Sequence, residues 1–294
     1  MWTTSSPIST TGWPQSKRNA GSLGMSPSKS NSREWDAAEY HQRSAPQFQW
    51  GQRVLSELHL RGDECVLDAG CGTGKLTRLL LQNLPRGRVV ALDLSRNMLR
   101  HAQHDLRPEF GDRAQFVVGD LIGLPFRDAF DGIFSTASFH WVLDHDVLFR
   151  NLFAALRPGG WVHAQCGGGM NLARLRQHVR DLSQSARFSS WLGEFPEPWY
   201  FSDANTAASR LRSVGFEEVL TNLEAATITA SSVEEFQGYL RTFILHRHLE
   251  LLPDELLRDT FVEALAEISA GEDLPWTLDY TRLNLRARKP ELLR

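Results

Sequence analysis

Between residues 64 and 166 the chain alternates short, continuously apolar runs with longer stretches that carry one apolar face. Glu64-Cys-Val-Leu-Asp68 predicts a short buried strand, and Leu76, Leu79, Leu80 and Leu84 fall on one face of a helix from Lys75 that stops before Pro85. Arg88–Asp93 predicts the second strand, and Ser95 is placed to cap a helix carrying Leu99, Ala102 and Leu106. Strands are predicted at Ala114–Val118, at Phe130–Ser135 and at Trp161–Cys166. Between the last two lies a helix over Asp146–Leu156, ended by Arg157-Pro-Gly-Gly160. Alternating βα units of this length imply a parallel sheet with helices on both faces.

Outside this region the rhythm changes. Trp50, Val54 and Leu58 recur at i, i+4 and i+8 and predict an amphipathic helix from Pro46 to about Leu60. Beyond Cys166 come a glycine run, a helix and an aromatic, proline-rich stretch. Asp203 then caps a helix to Val214, and a strand is predicted from Glu217 to about Thr229. Helices over Glu234–Leu251 and Asp254–Ser269 form an insert before a last alternating strand, Leu278–Ala287. The first 33 residues hold no Asp or Glu and read as a disordered tail, with Met25 a second candidate start.

Composition narrows the function. The 294 residues carry 32 Lys+Arg against 35 Asp+Glu, so a formal charge of −3 gives no support to a nucleic-acid partner. Cys65, Cys71 and Cys166 show neither a disulfide framework nor zinc spacing, so no metal is expected. No apolar run is long enough for a membrane span. A soluble, cytoplasmic protein is the expectation.

The sharpest motif is Val66-Leu-Asp-Ala-Gly-Cys-Gly-Thr-Gly-Lys75, between the first strand and the first long helix. Gly70, Gly72 and Gly74 allow tight turning and close approach of backbone to a ligand, and the following helix offers unpaired N–H groups. A phosphate loop fails twice, at Ala69 and Leu76, and a dinucleotide fingerprint fails at Lys75. What remains is acid-x-Gly-x-Gly-x-Gly, read from Asp68. An acid about 20 residues on, Asp93 at the end of the second strand, would sit across a crevice from that loop.

This set resembles the class I S-adenosylmethionine-dependent methyltransferases. The resemblance implies a Rossmann-like, seven-stranded, mostly parallel sheet and S-adenosylmethionine as cofactor. It implies that Asp93 chelates the ribose hydroxyls, with Leu94 beside it, and that Gly119, Asp120 and Leu121 read the adenine edge. A backbone carbonyl near Ser135 would face the methionine ammonium. Met98 is either adenine wall or core, and Cys71 is a small filler within the loop.

Within the class, Ser135-Thr-Ala-Ser-Phe-His-Trp-Val-Leu-Asp144, Trp35-Asp-Ala-Ala-Glu-Tyr40, Gln47–Trp50 and Leu278-Asp-Tyr-Thr-Arg-Leu-Asn284 resemble the trans-aconitate 2-methyltransferase group. That implies a helical lid (34–61) with Tyr40 over the cofactor, a cofactor-binding half (62–166) and substrate-side inserts (167–202 and 230–275). The acceptor would be a small molecule, most simply a carboxylic acid, approached by Trp50, Arg241 and His246. Other acceptors include a malonyl thioester on a carrier protein, which predicts a basic entrance at Arg174, Arg176 and Arg180; a non-catalytic cofactor-binding protein is the rival reading. His140 and Trp141 are the catalytic candidates. His140 acts as a general base if the acceptor must lose a proton, and as a packing and hydrogen-bonding residue beside Trp141 if it need not.

Overall fold

The computed structural model describes residues 34–291. The acid-free N-terminal stretch, and the expectation that it is disordered, lie outside the described residues. Strands β1 (Cys65–Ala69), β2 (Arg88–Asp93), β3 (Ala114–Val118), β4 (Phe130–Thr136), β5 (Leu156–Gly167), β6 (Glu217–Ala225) and β9 (Thr281–Arg288) form one sheet. Its order is β3-β2-β1-β4-β5-β9-β6. All pairs are parallel except those of β9, which runs antiparallel to both β5 and β6. Two short strands, β7 (Ile228–Thr229) and β8 (Thr277–Leu278), make a separate antiparallel ribbon.

The strand order reverses between β1 and β4, so a crevice opens at their carboxyl ends. On one sheet face, α2 (Ala45–Ser56), α3 (Lys75–Asn83) and α4 (Arg96–Phe110) bury Val54, Leu55, Leu80, Leu81, Ala102 and Leu106 against Val66, Val89 and Phe134. On the other, α5 (His145–Ala155) and α8 (Ala204–Val214) bury Leu148, Phe149, Leu152, Ala207 and Leu211. β1 is buried at every position, as a central parallel strand covered on both faces requires.

A third core lies beside the sheet. Leu175 and Val179 of α6 (Ala173–Ser183) and Leu192 of α7 (Ser189–Leu192) join it from before β6. Phe236 of α9 (Val233–Tyr239), Leu249 of α10 (His246–Leu249) and Phe261 of α11 (Glu255–Ala270) join it from after β7. The two inserts, separate in sequence, therefore share one hydrophobic cluster.

Three predicted elements are corrected. The strand expected to Thr229 leaves the sheet after Ala225, and Ile228–Thr229 pairs with Thr277–Leu278 instead. The single helix expected over Glu234–Leu251 is interrupted at Leu240–Ile244 by a π-helical turn, in which the N–H of Leu245 donates to the Leu240 carbonyl at 2.8 Å. Thr242 widens that turn by donating its hydroxyl to the Gly238 carbonyl at 2.9 Å. The fifth strand, β5, starts earlier than predicted, at Leu156 rather than Trp161, because Gly159 adopts a left-handed φ of 75° and lets the Pro-Gly-Gly run kink without leaving the sheet.

Candidate active site

The glycine loop leaves β1 and curls against β2: the N–H groups of Gly70 and Cys71 both donate to the Leu92 carbonyl, at 2.8 and 3.0 Å. Gly70 has φ 83°, and a Cβ there would lie 2.0 Å from the Ser138 hydroxyl, which itself donates to the Gly70 carbonyl. Only glycine fits both conditions. Gly74 answers a different need. Its φ is 82°, and a Cβ would crowd Leu106 and Ala102 of α4 at 2.9 and 3.0 Å, so it lets α3 begin beneath α4 rather than facing a ligand.

Asp93 ends β2 with both carboxylate oxygens aimed back at backbone. Oδ2 accepts the Gly72 N–H and Oδ1 the Ser95 N–H, each at 2.9 Å. Burial raises its pKa, and these backbone hydrogen bonds oppose the rise. Asp68, the first acid of the motif, is buried beneath the loop, accepts the Thr77 hydroxyl at 2.6 Å, and is pushed up by burial to about 7.

A cleft opens above this frame. It is lined by Gly70, Gly72, Leu92, Asp93, Leu94 and Met98 on one side and by Gly119, Asp120 and Leu121 at its far end. Thr136, Ala137, Ser138, Trp141 and Val142 form the wall after β4, and Trp35 and Tyr40 close it from the lid. Ala137 is held at φ 56°, uncommon for a residue with a side chain, and its N–H donates to the Gln165 carbonyl at 2.8 Å. Tyr40 also lines a neighbouring recess with Gln47, Cys71, Thr73 and Lys75, so its ring divides the two spaces.

The lid, α1 (Ala37–Arg43) with α2, is fastened to the glycine loop and to α4 among other points. Glu34 accepts from Ser95 Oγ and from the N–H groups of Arg96 and Asn97, capping the start of α4. Lys75 donates to the His41 carbonyl and to Ser44 Oγ. Aromatic contacts continue the seal: Trp35 meets Trp141 edge-on at 5.5 Å and stacks on His246 at 4.9 Å, and Tyr40 meets Phe243 of the π-helical turn at 5.0 Å.

His140 stands just beyond the wall, its ring 5.4 Å from Trp141 and 5.7 Å from Phe201. Its Nδ1 accepts the Gly167 N–H at 3.2 Å, so in the neutral ring the hydrogen resides on Nε2. Burial holds its pKa well below the usual histidine range, with Arg282 and His145 adding to the effect. The Nδ1 lone pair of His140 is thus engaged by backbone, and its surroundings disfavour the protonated ring.

Other expected residues sit elsewhere. Ser135 is buried and donates its hydroxyl to the Ala69 carbonyl at 2.6 Å; the cleft wall begins one residue later, at Thr136. Cys71 lines the recess behind Tyr40, and Asp68 and Gly74 support the loop from below. Arg241 pairs with Asp259 and with Glu255 and so faces α11. His246 backs Trp35 and lies 3.2 Å from Glu250. Trp50 packs 5.2 Å from Tyr280. Away from the cleft, His41, His101 and Asp105 bring possible ligand atoms within 4.8 Å of one another, but the two rings stack and His41 bonds Thr73, so the cluster packs α1 on α4.

Comparison with known proteins agrees with this geometry. A methyltransferase-domain family matches residues 66–160, from β1 through the Pro-Gly-Gly kink. The trans-aconitate 2-methyltransferase of Deinococcus radiodurans is 33% identical over 202 residues, 67% of this chain and 72% of that protein. An uncharacterized methyltransferase of Schizosaccharomyces pombe is 26% identical over 266 residues, 87% of this chain and 98% of its own length. Among solved structures, a phosphoethanolamine N-methyltransferase of Haemonchus contortus in complex with phosphomonomethylethanolamine and S-adenosylhomocysteine superposes with a TM-score of 0.57. It is 20% identical and matches over 87% of this chain and 57% of that one. The chain belongs to the class I S-adenosylmethionine-dependent methyltransferases, and S-adenosylmethionine is its cofactor. Within that family, several relatives at 30–35% identity are trans-aconitate 2-methyltransferases. Among the described residues no helix is long and apolar enough to cross a membrane.

Proposed function

We propose that this small-molecule methyltransferase transfers its methyl group to a carboxylate oxygen of a small organic acid of the trans-aconitate type. What supports this reading is the engagement of His140, the residue the sequence offered as a base. Its Nδ1 is occupied by the Gly167 N–H. Burial raises the tyrosines nearby, Tyr239 well above its usual value and Tyr280 to about 12. A histidine engaged in this way suits an acceptor that arrives ionised and needs no base, and a carboxylate does so at neutral pH.

The residues present fit the cofactor. Backbone at Gly70 and Gly72 leaves room that a Cβ at Gly70 would contest, and Asp93 offers a carboxylate fixed from below for the ribose hydroxyls. Leu94, Met98 and Leu121 supply apolar walls for the adenine, and Asp120, its Oδ1 held by the Ile122 N–H, stands at that edge. Thr136–Ser138 and Trp141 face the methionine end, under Trp35 and Tyr40. When bound, S-adenosylmethionine would supply an electrophilic methyl, and a carboxylate oxygen would take it as the C–S electron pair returned to sulfur, with no proton to move. The chain's share is to hold the reacting atoms in line and to exclude water with the lid.

The carrier-protein alternative loses its main support. Arg176 and Arg180 share Glu197, and Arg174 pairs with Glu272, so most of the positive charge of these three is offset within the chain. The decisive experiment measures S-adenosylhomocysteine release across di- and tricarboxylates including trans-aconitate, with phenols and amines as controls. Turnover of the acids alone supports the reading. Turnover of phenols or amines alone overturns it.

A further inference from the structure

Arg282 is 3% exposed, near the start of β9, and no Asp or Glu pairs with it among the described residues. Its one side-chain hydrogen bond there is from Nε to Gln165 Oε1, at 3.4 Å. Gln165 cannot turn away, because its amide nitrogen donates to Asn284 Oδ1 at 2.7 Å. The guanidinium lies 4.8 Å from the Trp50 ring and 5.9 Å from the Tyr280 ring. Aromatic faces attract a cation but accept no conventional hydrogen bond from its terminal N–H groups. A buried charge with such partial compensation is costly, and the cost is recovered when an anion completes it.

The neighbours of this cation reach both the cleft wall and the lid. Arg282 is the register partner of Gly167, whose N–H holds His140. Tyr280 donates to the Tyr239 hydroxyl at 3.3 Å, and Tyr239 bonds Gln47 of the lid, so sheet, insert and lid converge around it. Other arginines of this region are already matched: Arg241 with Asp259, Arg286 with Glu57, Arg53 with Glu224.

We propose that Arg282 anchors a carboxylate of the methyl acceptor, and that the anchored carboxylate is not the one methylated. An oxygen gripped in a fork of two N–H bonds has its lone pairs engaged and is a poorer nucleophile. The acceptor class is therefore an acid with at least two carboxylates, one held by Arg282 and another free to attack. This rests on the carboxylate reading above and adds the residue that holds the carboxylate spared from methylation.

Titration calorimetry with the S-adenosylhomocysteine-loaded protein tests it, using trans-aconitate and a monocarboxylate of similar size as probes. Arg282→Met keeps a long apolar side chain against Trp50 and removes the charge. The expected result is tricarboxylate affinity about 10- to 150-fold weaker, with S-adenosylhomocysteine affinity unchanged. Equal tricarboxylate affinity in both proteins, or none in the wild type, overturns the proposal. So does a parallel loss of S-adenosylhomocysteine affinity, which would assign Arg282 to the cofactor's own carboxylate. Should Arg282→Met not fold, Arg282→Lys replaces it: a compact ammonium cannot grip in two places, so affinity falls about tenfold, and unchanged affinity overturns the proposal. Turnover separates the two readings. An acid bound through Arg282 but never methylated leaves Arg282 in place and removes the carboxylate-oxygen function. An acid methylated equally by wild type and Arg282→Met does the reverse.

Discussion

Asp93 braces the glycine loop through the Gly72 N–H and starts α4 through the Ser95 N–H, in addition to the ribose role proposed for it. Asp93→Ala should therefore weaken S-adenosylhomocysteine binding by about 1.5–3 kcal/mol, the worth of hydrogen bonds to a charged group. Calorimetry reads this directly, and an unchanged affinity would remove Asp93 from the site. His140 makes the opposite case. Its pKa is held far below neutrality, so methylation of an acid should show no histidine titration between about pH 6 and 9. His140→Gln keeps an acceptor for Gly167 and a donor, and kcat should fall by less than about tenfold, against the roughly 10²–10⁴ that a general base contributes. A bell-shaped profile abolished by the substitution would refute the donor assignment. The loop and the acid across from it were legible in the sequence because spacing alone specifies them. Arg282 was not. Strand alternation groups it with Arg286 and Arg288, which are exposed at the other end of β9, and only the tertiary packing of the lid's Trp50 and of Tyr280 over that end buries it.

At the level of elements, the alternating half of the chain was readable almost residue by residue, since each βα unit carries its own apolar pattern, cap and stop. Ser95, Asp203 and Asp254 accept N–H groups in the first turns of α4, α8 and α11, where the sequence places those starts. The insert was less legible. A continuous apolar stripe over Phe236, Leu240, Phe243 and Ile244 is the same whether the helix is regular or widened, and the π-helical turn depends on Thr242 and on packing against Tyr40. The lid's fastening was also hidden, because Glu34 and α4 are joined only in space. Glu34→Ala should cost about 1 kcal/mol of stability through the lost cap on α4. It should also speed S-adenosylhomocysteine release, measured by stopped flow. Release at the wild-type rate would show that Lys75 and the aromatic contacts alone hold the lid.

For the molecule as a whole, burial of ionisable groups couples folding to pH. Asp68 is pushed up to about 7 from 3.8, so between those values the native state keeps a proton that the unfolded chain gives up. Stability from this group therefore falls as pH rises through that window and is level above it. His145, His163 and His248 are held down to about 4 by burial and act in the other direction as pH falls below about 6.5. The Asp68 share is thus read as a difference: Asp68→Asn should gain on the wild type by on the order of a few kcal/mol between pH 5 and 8 in urea titrations. Parallel curves would mean that Asp68 is ionised in the native state without penalty. The antiparallel course of β9 carries a consequence of another kind. Because β9 begins at the catalytic edge, the segment between β7 and β8 enters and leaves through one small ribbon, Ile228–Thr229 beside Thr277–Leu278. Lengthening or exchanging such a closed excursion costs little in chain entropy and leaves the seven-stranded register untouched. This segment shares its hydrophobic cluster with α6 and α7, so a chimera that carries both inserts together can retune what is packed over the cleft while the half that holds the cofactor is inherited intact.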